Sequence, residues 1–74
     1  MPHVHIKHFP TPLDPAREAA LVAAVTRAVV EAFGVPAGTV SIATEPVPPD
    51  AWYDTVYAPE IAGRRELLRK TPDY

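Results

Sequence analysis

Ten prolines in 74 residues divide this chain more sharply than any other feature. They stand at positions 2, 10, 12, 15, 36, 46, 48, 49, 59 and 72, against an average usage of about 5%. Proline has no N–H to give to a helix or a sheet ladder, so regular structure must occupy the gaps between them. Disorder is not implied. Hydrophobic residues make up 47% of the chain and the formal net charge is −2, whereas disordered chains combine low hydrophobicity with high charge.

The first gap, His3 to Phe9, alternates Val4 and Ile6 with His3, His5 and Lys7. That period of two predicts a strand with one apolar face. In the second gap Asp14 is a good N-cap and Pro15 suits the first helical position. Leu21, Val22, Val25, Val29, Ala32 and Phe33 follow at helical spacing, and Gly34 stands where a left-handed C-cap belongs. Thr39 to Glu45 again alternates and predicts a second strand. Strand, helix and strand within about 43 residues make a βαβ unit with parallel strands. Beyond Pro46-Val47-Pro48-Pro49, which reads as extended or turning, a short helix is expected from near Pro59. Arg64, Arg65, Arg69 and Lys70 lie toward its end.

The chain is expected to form a single domain over residues 1–74. A core this small rarely supplies more than about 3–5 kcal/mol, and two strands do not make a stable sheet alone. With no cysteine there is no disulfide to add. Burial against a second copy is the expected remedy. The near-neutral charge implies no general attraction to nucleic acid or anionic membrane. No apolar run reaches the 18 residues of a transmembrane helix, and no signal-peptide core is present, so a cytoplasmic location is expected.

Little chemistry is legible locally. His3 and His5 share a strand face, but His8 lies on the other and no acidic residue nearby completes a metal site. Ser41 is the lone serine, and no triad or phosphate-binding glycine motif is present. Trp52 either walls a pocket or packs beneath a loop. Pro2 is different in kind. Removal of Met1 would leave a secondary amine in a rigid ring, and apolar surroundings favour the neutral, proton-accepting form of such a group.

The opening Met1-Pro2-His3-Val4-His5-Ile6-Lys7, the capped helix, Gly34-Val35-Pro36 and the strand Val40-Ser41-Ile42-Ala43 resemble the 4-oxalocrotonate tautomerase family. The stretch from Pro46 to Trp52, and a helix ending in Arg69-Lys70-Thr71-Pro72, is similar to its dimeric enterobacterial-type branch. The resemblance implies an α+β fold: a small βαβ protomer extended by a C-terminal helix, its four-stranded sheet completed in a homodimer. It implies a keto–enol tautomerase that needs no cofactor and no metal, with Pro2 as general base. Trp52, Ser41, Phe9 and Lys7 are the substrate-binding candidates, Trp52 as the aromatic residue near the proline. The two arginines that bind substrate in active members fall here at Thr11 or Pro12 and at Ser41. A monocarboxylate enol such as phenylenolpyruvate, or a 2-hydroxydienoate, is therefore the expected substrate. Lys7, Arg64 or Arg65 are the cations available to replace the arginines. The missing arginines also motivate an alternative, a weak or inactive member serving as a dimeric small-molecule-binding or interaction module.

Overall fold

The computed structural model describes residues 1–74. Strand β1 spans His3–His8, helix α1 spans Pro15–Phe33 and strand β2 spans Ser41–Pro46. β1 and β2 pair in parallel, His3 opposite Ser41 through His8 opposite Pro46. The strand–helix–strand expectation holds. The second strand starts two residues later than its alternation suggests, because Ala37–Thr39 form a 3₁₀ turn before it.

The ends of α1 follow from single residues. The Asp14 carboxylate accepts the Arg17 N–H at 2.8 Å, satisfying one of the donors a helix start leaves unpaired. At the other end Gly34 adopts φ 65°, and its N–H returns to the Val30 carbonyl at 2.9 Å. An Asp14→Ala substitution is expected to lower the thermal midpoint by about 4–8 °C, the effect of losing one cap in a domain this size. Thermal unfolding followed by circular dichroism checks it.

The apolar stripe of α1 is narrower than its periodicity suggests. Leu21, Val25, Thr26, Val29 and Val30 are half-buried, while Val22, Ala32 and Phe33 are exposed. Width explains the difference. Two strands about 4.8 Å apart cannot cover a helix about 10–12 Å across.

The C-terminal part departs further. A helical arm begins at Pro49, not near Pro59: α2 spans Pro49–Trp52 and runs on into a π-helical stretch, Tyr53–Ile61. A 3₁₀ stretch, Ala62–Leu67, completes the arm. Pro59 thus lies inside the helix. An α-helical turn would drive its ring into the carbonyl four residues back, and the wider π turn relieves that clash. Arg69 and Lys70 lie beyond the helical end, where the Arg69 guanidinium donates to the Glu66 carbonyl at 3.3 Å. Gly63 is needed in this arm, since a Cβ there would lie 2.8 Å from the Ala58 carbonyl oxygen.

Alternate residues of a strand face opposite ways, and the two faces of β1 meet different partners. Val4 borders a cavity with Val29 and Phe33 of α1. His5 and Lys7 border another with Trp52, Val56, Glu60 and Ile61 of the arm. The sheet thus lies between α1 and the arm. Only Val47 and Val56 are buried, at 7% and 6% exposure. No helix is long and apolar enough to cross a membrane.

Candidate active site

Pro2 sits at the head of β1, and its place is set by the sheet. Its carbonyl accepts the Ser41 N–H at 3.1 Å, which extends the ladder one step beyond the strand and ties the start of the chain to β2. Val4, Val29, Phe33 and Val35 wall a cavity of about 480 Å³ there, together with the first three residues. Met1 is fully exposed, at 102%. While it is attached, the Pro2 nitrogen is a tertiary amide without a basic lone pair.

The Ser41 hydroxyl and His3 Nδ1 are hydrogen-bonded at 2.6 Å on the opposite sheet face. His5 Nε2 meets the Glu45 carboxylate at 2.9 Å on that same face. The His3 and His5 rings lie 6.4 Å apart, each held by a different partner. Lys7 pairs with Glu60 of the arm, so its charge is matched within the chain. Arg64 and Arg65 make no ion pair.

The other candidates gather at the far end of the strands. The Phe9 and Trp52 rings meet edge to face at 5.2 Å, and Lys7 lies beside Trp52 across a cavity of about 240 Å³. Beyond it Tyr53 stacks on Tyr57 at 5.6 Å, and Tyr57 meets Tyr74 at 5.8 Å. Seven residue steps of extended chain separate Pro2 from Phe9, about 23 Å at strand rise. Pro2 and Ser41 are therefore together within one chain, and Phe9, Lys7 and Trp52 are together elsewhere.

The aromatic ring sharing the cavity with Pro2 in the same chain is Phe33, which helical periodicity assigns to the core. Topology carries the missing signal. In a parallel βαβ unit the helix returns against the strands, so the end of α1 must reach the start of β1.

The pattern of residues 2–56 matches a family model described as tautomerase enzyme. The whole chain is 36% identical to Tautomerase PptA of Escherichia coli O139:H28 (strain E24377A / ETEC), over 97% of that protein's length. It is equally similar to Tautomerase PptA of Escherichia coli (strain K12 / DH10B), covering 95% of that protein.

Proposed function

The chain belongs to the tautomerase family, and from that premise we propose that its base is the Pro2 nitrogen, released as an amine when Met1 is removed. As a tautomerase the protein is an isomerase. In the proposed step the Pro2 nitrogen takes the proton of an enol hydroxyl. The electrons of the broken O–H bond form the carbonyl, and the former C=C pair takes the same proton from nitrogen to make a C–H bond. The nitrogen ends as it began, and no cofactor is consumed. General-base assistance of this kind contributes about 10²–10⁴-fold.

The observation that carries this reading is the seating of Pro2: fixed through its carbonyl by Ser41, beside a cavity walled by Val4, Val29 and Val35. Apolar walls disfavour an ammonium and favour the amine.

The substrate is a monocarboxylate enol, with phenylenolpyruvate as the type and a 2-hydroxydienoate as the near relative. Positions 11, 12 and 41 are Thr, Pro and Ser, none of which offers the forked, charged donor set of an arginine, and Lys7 is engaged by Glu60.

The working unit is a homodimer of single-domain chains with a four-stranded sheet, in which a second copy brings Trp52 and Phe9 toward Pro2. Shape supports this. The chain exposes 5619 Å², about 1,200 Å² more than a folded monomer of its 8.0 kDa mass exposes. Its radius of gyration of 13.9 Å exceeds the roughly 11.3 Å of a compact domain this long. The surplus is of the size that one standard interface covers on each partner, about 800 Å² or more. Sedimentation at micromolar concentration should give twice the chain mass.

The test of function is an assay of the Met-free protein on a panel of enols. Turnover of phenylenolpyruvate above that of the dicarboxylates supports the reading. Binding of these acids without turnover of any of them overturns it in favour of a binding module.

A further inference from the structure

We infer that Phe33 determines substrate specificity, its ring forming the wall on which the apolar body of the enol acid lies. This rests on the reading of Pro2 as the base, because it is the Pro2 cavity that Phe33 lines. Three observations lead to it.

The first is exposure. Phe33 is 69% exposed although it is the largest apolar side chain of α1. A ring so exposed contributes little to the core of its own chain, and its position at the last turn of α1 aims it at the start of β1. Gly34, turning at φ 65° directly after it, ends the helix there.

The second is the character of the cavity. Its volume, with Met1 still part of the lining, is about 480 Å³, in the range of small-molecule sites, about 300–1,000 Å³. The helix side of it offers Val29, Phe33 and Val35 and no charged group or side-chain donor. An acid placed there must turn its carboxylate away from α1, because a buried carboxylate without donors is strongly disfavoured.

The third is the polar group at the opposite rim. Pro2 stands at that rim, and once Met1 is removed its nitrogen carries an N–H donor; the His3 imidazole, bonded to the Ser41 hydroxyl, lies on the other sheet face. A ligand with one apolar end and one acidic end thus has a single favourable orientation, ring toward Phe33 and acid toward the strand. The occupant that fits is an aryl-substituted three-carbon acid. A short aliphatic acid would leave the Phe33 wall uncovered.

Phe33→Ala and Phe33→Leu test this, with equilibrium binding of 3-phenylpropanoate and propanoate measured by calorimetry on the Met-free protein. Neither ligand has an enolisable ketone, so the result does not depend on Pro2 acting as a base. Phe33→Ala is expected to weaken 3-phenylpropanoate binding about tenfold, within the range by which apolar pockets discriminate. Propanoate should change less than twofold, and Phe33→Leu should restore part of the loss. In turnover the same variant should raise KM for phenylenolpyruvate with a smaller effect on kcat. Equal losses for both acids, or none for either, overturn the inference. A changed sedimentation mass for Phe33→Ala also overturns it, since Phe33 would then belong to a chain–chain interface. If Pro2→Ala retains full turnover while the binding result stands, it is the base that has been misassigned and not the wall.

Discussion

Replacing Pro2 with alanine is expected to lower kcat/KM for phenylenolpyruvate by about 10²–10⁴-fold, the contribution of a positioned general base. kcat should fall with it and KM should change little, because the lost interaction acts on the proton in transit. Alanine leaves an amine, but a primary one free to rotate about its own Cα. The proline ring removes that freedom and keeps the nitrogen at the cavity edge. The fold should survive, since the contact that seats residue 2 is its backbone carbonyl, accepting the Ser41 N–H. Steady-state kinetics and thermal unfolding on the same preparations separate the two effects. A variant that keeps its midpoint and loses less than threefold in rate would show that Pro2 is not the base.

The second large effect concerns the arm. Val56→Asn is expected to lower the thermal midpoint by about 10 °C or more. Val56 is one of two buried residues and faces the cavity bordered by Trp52 and Ile61. The substitution removes a buried apolar side chain and inserts an amide, each costing on the order of 1–3 kcal/mol. A core this small supplies only about 3–5 kcal/mol, and each kcal/mol lost moves the midpoint by about 4–8 °C. Calorimetry on the variant checks it. A shift under 2 °C would mean that the arm does not contribute to the cooperative unit.

The first 46 residues were nearly readable from their order alone, because each signal there is local. Asp14, Pro15 and Gly34 fix the ends of α1 through contacts within four residues, and the alternation in β1 and β2 needs only the next neighbour. The arm was not readable in the same way. Pro59 looks like a helix start because proline breaks α-helices, yet the chain absorbs it in a π-helical stretch. Pro48 and Pro49, which read as extended, are the cap and first residue of α2. Val47 and Val56 become core only when the arm docks on the His5–Lys7 face. No local pattern announces that.

The candidate site divides along the same line. Pro2 and Ser41 are neighbours because parallel pairing puts the two strand starts side by side. Trp52 follows the end of β2, so the topology that joins Pro2 to Ser41 also separates Pro2 from Trp52 within one chain. Phe33 reaches the cavity for the same topological reason, although its spacing assigns it to the core face. Its role depends on where α1 ends, not on which way its stripe points.

Whether a free Pro2 nitrogen does the chemistry is decided by comparing two forms of the same protein. The protein is prepared with Met1 retained and with Met1 removed, each form verified by intact mass, and both are assayed on phenylenolpyruvate under identical conditions. The sequence and fold are the same from Pro2 onward; only the state of one nitrogen differs, amide in one form and amine in the other. Tautomerisation by the Met-free form and at least a hundredfold less by the Met-bearing form is the predicted result. Equal rates for the two forms would show that the Pro2 nitrogen is not the base.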